Sequence, residues 1–291
     1  MDTSETDKAE PAPAPAGAAA TVAHAPAKKQ ESWWETIRFF LLLFLAALII
    51  RTFIVAPFSI PSGSMLPRLL IGDYLFVAKW PYGFSRYSMP FGLGGFSGRI
   101  FESLPERGDV VVFRHPVQGS DYIVKRVIGL PGDTIQMRGG TLHLNGQPVQ
   151  RTRVADFLMP LSPNSPCRWV GQDSQQRQVQ QNGETFCAYP QYRETLPGGR
   201  SFTVLDQGYT FGDDTPAIVV PQGQLFMMGD NRDDSQDSRF PHSERGVGFL
   251  PMENVIGRVM VTFFSTDGSA SWIKPWTWFS AARWNRIGQT G

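Results

Sequence analysis

The chain has 291 residues, 42% of them hydrophobic, and a formal net charge of +1, which suits one membrane segment plus one sizeable folded domain. So small a charge excludes an electrostatic drive toward nucleic acid or an acidic partner. Its 29 glycines and 23 prolines argue against a helical bundle and for a loop-rich, mostly β architecture. Two cysteines, Cys167 and Cys187, exclude a disulfide scaffold and lack metal-site spacing.

Residues 1–32 are rich in Ala and Pro with no apolar periodicity, which predicts a disordered or polyproline-like tail. Residues 33–56 read as a transmembrane anchor. Ile37 to Ala56 is mostly Phe, Leu, Ile and Ala, and as a helix would span about 30 Å, the thickness of the hydrocarbon core. Trp33 and Trp34 fall where an interfacial aromatic belt belongs, and Arg51 could snorkel outward at the far end. The competing reading is a buried core helix, because the unbroken apolar run is only Phe39–Ile50. Lys8, Lys28, Lys29 and Arg38 precede the run, so the positive-inside rule makes the tail cytoplasmic and the remainder exported, with Arg51 and Arg68 weighing the other way. An exported location favours a Cys167–Cys187 bridge, worth roughly 3 kcal/mol for a loop of this size. In a reducing compartment the two would be separate thiols.

Beyond Pro57 the pattern predicts short strands: Asp73–Lys79, Asp109–Arg114, Tyr122–Gly129, Thr134–Arg138, Thr141–Leu144, Phe202–Leu205, Ala217–Val220, Leu225–Met228 and Arg258–Phe264. Gly139-Gly140 and Asn145-Gly146 supply turn signals between them. Residues 82–107 and 160–200, rich in Gly, Pro, Ser and Gln, read as long loops or poorly specified insertions. The C-terminal stretch carries Trp272, Trp276, Trp278 and Trp284 among Lys274, Arg283 and Arg286. Those rings suit either a membrane-surface face or packing against the protein's own sheet.

Three segments could carry chemistry. Ser64 lies in Ile60-Pro61-Ser62-Gly63-Ser64-Met65-Leu66-Pro67, where two prolines restrict the backbone around it. A serine hydroxyl needs a base. His24 falls in the tail, and His115, His143 and His242 carry no triad motif. Lysine is the other candidate. In Tyr122–Ile128 alternation puts Ile123, Lys125 and Val127 on one face. A lysine desolvated there would titrate below about 10.4, at a cost of about 1.36 kcal/mol per unit; one that snorkels to solvent would not. The third segment, Gly229 through Arg239, reads as a solvated loop or as a calcium loop with Asp233, Ser235, Asp237 and Glu244. Ser238 stands where that loop requires glycine.

Together these segments resemble the ordered boxes of the type I signal peptidases, the leader peptidases of the Ser–Lys class. The matches are Pro61-Ser62-Gly63-Ser64-Met65, Arg107-Gly108-Asp109 through Phe113, Lys125-Arg126 through Gly132-Asp133, and Gly229-Asp230-Asn231-Arg232 through Asp237-Ser238-Arg239. The resemblance implies a membrane-bound serine endopeptidase that removes signal peptides from exported pre-proteins through an acyl-enzyme. Ser64 would be the nucleophile and Lys125 the general base. The Ser62 hydroxyl and Ser64 amide would form the oxyanion hole, and Ser235 would orient the lysine. Asp237, Arg239 and Arg126 would give structural support. Phe58, Ile60, Leu69 and Val124 would line shallow pockets that accept small side chains. No metal or organic cofactor is implied. The partners would be signal peptides and the lipid bilayer. The enzyme would sit in the bacterial cytoplasmic (inner) membrane as a single-pass protein with its catalytic domain on the periplasmic side. The expected core is an antiparallel-sheet domain, 57–135 and 222–291, split by a β-rich inserted subdomain at 136–221. Asp234 stands where many members have Asn, and Phe240-Pro241-His242 departs from a commoner aromatic-Gly run. The rival reading is a membrane-tethered β-domain that binds calcium or a protein partner without catalysis.

Overall fold

The computed structural model describes residues 33–89, 96–117, 119, 121–170, 177–271 and 273–290; the expected tail and Trp272 lie outside them. Contacts divide the chain into two units, with the boundary between Phe44 and Leu45. An α-helix, Trp33–Ile49, runs across that boundary and buries none of its side chains. It continues as a π-helical turn, Ile50–Ile54, and the backbone turns extended at Val55. Among the described residues Trp33–Ile54 is long and apolar enough to cross a membrane. Of its residues only Thr52 is buried, so it is not the buried core helix of the competing reading.

The second unit is built on a seven-stranded antiparallel sheet. Its strands lie in the order Val55–Ser59, Asp73–Ala78, Val255–Ser265, Val110–Arg114, Tyr122–Gly129, Gln224–Met228, Leu250–Pro251. Val110–Val112 and Phe113 are buried to a residue, the unbroken apolar run of a strand covered on both faces. Its neighbour Tyr122–Gly129 pairs with it in the register Val111↔Lys125 and Val110↔Arg126. Lys125 and Arg126 therefore leave the sheet on opposite faces.

The segment between 133 and 222 forms two further antiparallel sheets. One holds Ile218–Val219, Thr134–Arg138, Thr141–Leu144 and Gln147–Pro148. The other centres on Glu184–Thr195, flanked by Gln150–Pro160, Gln178–Gln181 and Ser201–Leu205. The mostly β fold class is as expected, and the short alternating strands fall within a residue or so of their predicted positions at most ends. The long loop expected at 160–200 is not a loop: it contains the 12-residue strand Glu184–Thr195. Proline and polar side chains hid it. Pro190 falls at the bulge where the register with the neighbouring strand slips between Val154 and Phe157, a position that needs no amide donor. Leu66 and Leu70 of the core pack with Met159, Cys187, Tyr189 and Leu205 of this region, and Cys167 is disulfide-bonded to Cys187. At the C-terminus Trp276, Trp278, Phe279 and Trp284 stand exposed rather than packed on the sheet.

Candidate active site

Ser64 lies in the turn that follows the edge strand Val55–Ser59. Met65, Leu66 and Leu69 on the same turn are buried and anchor it to the core. A second segment grips it from behind. The Asn231 amide donates to the Ser64 carbonyl at 3.0 Å, and Asn231 Nδ2 donates to the Gly63 carbonyl at 3.1 Å. Gly229 makes this approach possible: a Cβ there would stand 2.6 Å from the Ser64 oxygen and 2.2 Å from Ser235 Oγ. No residue with a side chain fits without moving one of them.

Lys125 Nζ reaches Ser64 Oγ at 2.5 Å across 61 positions of sequence. The lysine is 3% exposed. Burial pushes its ammonium down to about 8, with Arg239 adding to the effect; Asp237, Asp230 and Asp234 oppose it. Desolvation wins because the nearest carboxylates are already committed elsewhere. Asp237 accepts Arg239 Nε at 2.9 Å and the Gly229 amide at 3.0 Å, and both charged side chains are fully buried. That partner holds the Asp237 carboxyl below its usual range although burial alone would raise it. Asp230 accepts both ends of the Arg126 guanidinium, at 2.7 and 2.6 Å. Arg232, in the same loop, makes a bidentate pair with Glu194 at 2.8 and 2.5 Å.

The remaining expected residues divide. Ser62 Oγ lies 3.5 Å from Ser64 Oγ, beside a Ser64 amide that donates to no acceptor among the described residues. Ser235 does not make the expected bond to the lysine. Its buried hydroxyl has no hydrogen-bond partner among the described residues, because it is turned against Gly229 while Nζ is engaged with Ser64. A cleft of about 730 Å³ opens over the pair, lined by Phe58, Ile60 and Val124, with Phe58 edge-on to Tyr122 at 5.3 Å. Leu69 does not reach it. At 1% exposure it points into the core beneath, its amide turned back to the Met65 carbonyl. The cleft also has a wall that sequence reasoning missed: Arg168, from the segment after Cys167, pairs with Asp234 at 3.0 Å. Nothing in the local sequence signalled it, since the contact depends on how the sheet centred on Glu184–Thr195 folds back.

The calcium loop fails on geometry. Asp233 accepts the Gln207 amide at 2.5 Å and Thr210 Oγ1 at 3.3 Å, and Glu244 is exposed. No group of three or more His, Cys, Asp or Glu among the described residues suits a metal ion.

Comparison with known proteins gives the family. The signal peptidase family, peptidase S26, matches residues 33–264. A signal peptidase I of Rickettsia typhi is 38% identical over 229 residues, 76% of each chain. One from Rickettsia conorii is 34% identical over 281 residues, 89% of this chain and 91% of its own. A crystal structure of a signal peptidase I from Enterococcus faecalis is 26% identical and covers 54% of this chain and 97% of its own, at a TM-score of 0.28. The chain belongs to the signal peptidase family, peptidase S26.

Proposed function

We propose that the chain is a membrane-tethered serine endopeptidase that cleaves signal peptides from exported pre-proteins, with Ser64 as nucleophile and Lys125 as general base. The observation that carries the reading is the 2.5 Å contact between Ser64 Oγ and the Nζ of a fully buried lysine. Neutral Nζ takes the hydroxyl proton as Ser64 Oγ attacks the scissile carbonyl. The resulting ammonium returns that proton to the departing amine, leaving an ester on Ser64. Water then hydrolyses the ester, with Lys125 again as base. A lysine titrating near 8 is neutral in about a tenth of molecules at pH 7, against about one in a few thousand at the unshifted value.

The free Ser64 amide and the Ser62 hydroxyl are positioned to stabilise the oxyanion, each such donor being worth roughly 3–4 kcal/mol. Asp237, Arg239, Arg126 and Asp230 hold the loop and strand that bring the pair together. The Ser235 hydroxyl flanks the lysine without bonding to it, so its orienting role requires a change of rotamer. Phe58, Ile60 and Val124 form the shallow apolar floor that favours small side chains. The substrate would lie along Tyr122–Lys125 as an added strand. Trp33–Ile54 would cross the cytoplasmic membrane, with the tail inside, 57–135 and 222–291 forming the exported catalytic core, and 136–221 an insertion. The exposed C-terminal rings would meet the bilayer surface.

The test is cleavage of a pre-protein by the wild type, Ser64→Ala and Lys125→Ala. Loss of cleavage in both supports the dyad; activity persisting in either sinks it.

A further inference from the structure

On the face of the central sheet opposite Lys125 lies a second cavity, of about 750 Å³. Its floor is Arg68 and Arg126. Its rim is Arg258 from the sheet, Arg193 from the strand Glu184–Thr195 and Arg200 from the turn that follows it. Five guanidinium groups thus meet one carboxylate, Asp109, in a chain whose overall net charge is only +1. Two of the five are spoken for. Arg126 is bound to Asp230, and Arg200 NH1 and NH2 contact Asp109 at 2.6 Å and Glu106 at 2.7 Å. Asp109 also accepts the Tyr82 hydroxyl at 2.7 Å, so it has nothing left for the others. Arg68, Arg193 and Arg258 make no side-chain hydrogen bond or ion pair with any described residue. Burial and the Arg126 charge pull the Arg68 guanidinium below its ordinary value, although Asp230 opposes them. With five guanidinium groups against Asp109, Asp230 and Glu106, positive charge is left in excess around the concavity; like charges repel one another, and an anion would relieve that.

We infer that this cavity is a binding site for a phosphate-bearing anion, held by Arg68, Arg193 and Arg258. Three guanidinium forks converging on one space match the several acceptor oxygens of a phosphate better than the two of a single carboxylate. The volume exceeds what one inorganic ion fills, and Val110, Val259, Met260 and Phe202 give it apolar walls. The ligand therefore carries more than a bare phosphate: either a soluble phosphorylated compound or the headgroup of an anionic phospholipid. The site is also mechanically close to the chemistry. Arg126 follows Lys125 directly, and Arg68 lies four residues beyond Ser64 on the turn that carries it.

The experiment is titration calorimetry of the full chain in a neutral detergent, with pyrophosphate in one arm and short-chain phosphatidylglycerol in the other. The wild type should bind at least one of them saturably, with affinity falling as salt rises. Arg193→Ser/Arg258→Ser, two exposed positions with no bonds to lose, should weaken binding at least tenfold at an unchanged melting temperature, and Arg193→Glu/Arg258→Glu should abolish it. Tighter binding of pyrophosphate identifies a soluble ligand, and tighter binding of the lipid a headgroup. No saturable binding in either arm overturns the inference. So does binding that the Ser variants leave intact, or binding of an acidic peptide to the exclusion of both phosphates. Should the double variant fail to fold, Arg68→Gln decides on the same scale.

Discussion

Two lysines in this molecule are buried and pushed down to about 8, and they do different things. Lys125 is 3% exposed and Lys79 is 7% exposed. Burial is the main cause in both, reinforced at Lys79 by the charge of Arg51. The difference is what each ammonium faces. Lys79 Nζ donates to the Ser88 carbonyl at 2.7 Å, a group that has no proton to give. Lys125 Nζ faces a hydroxyl at 2.5 Å on a turn fixed from two sides. A lowered pKa makes a lysine available as a base; only geometry makes it one.

Four measurements test whether the two lysines differ in this way. The largest expected effect is on turnover: Lys125→Met should cut pre-protein cleavage at least about a thousandfold, as removal of a general base from a nucleophilic pair does. The same substitution should stabilise the fold. With a folded value of about 8 and an unfolded value near 10.4, the wild type carries a penalty below pH 8 of about 3 kcal/mol, at 1.36 per unit. That penalty fades as pH rises from 8 toward 10.4. Denaturant melts at pH 7 should therefore favour Lys125→Met by up to that amount, and melts above pH 10.4 should bring the two proteins together. Equal stability at pH 7 would mean that the lysine is better solvated than its burial implies.

Third, the wild-type cleavage rate at subsaturating substrate should fall about 50-fold from pH 8 to pH 6, as the neutral fraction of a group titrating near 8 drops from about a half to about a hundredth. A flat profile over that range would separate cleavage from Lys125. Smallest is Lys79→Met, which should leave cleavage within about twofold of wild type and keep the same pH profile. A shifted profile there would make Lys79 part of the machinery and erase the distinction.

The two halves of this pair were unequally legible in the sequence. Alternation in Tyr122–Ile128 put Lys125 on an apolar face, but nothing local joined it to Ser64, 61 positions away; the ordered boxes did. The Asp237–Arg239 pair was likewise readable from its box. Lys79 was read as the end of a strand and nothing more, since its burial comes from elements far away in sequence. Leu69 shows the limit of reading pockets from position: an apolar residue near a serine points as readily into the core as into the cleft. The same holds for Arg168 and for Glu184–Thr195, whose polar, proline-bearing sequence becomes a central strand only because it has partners on both sides.

Arg232 and Glu194 are 3% and 1% exposed and bonded through both ends of each group. One belongs to the loop that holds Ser64, the other to the strand Glu184–Thr195. Losing either alone would strand a charge in the interior at a cost of about 3–5 kcal/mol. The two positions can therefore change over evolutionary time only as a couple. A chimera that takes its insertion from one relative and its catalytic loop from another should work only if both halves of this pair come from the same parent.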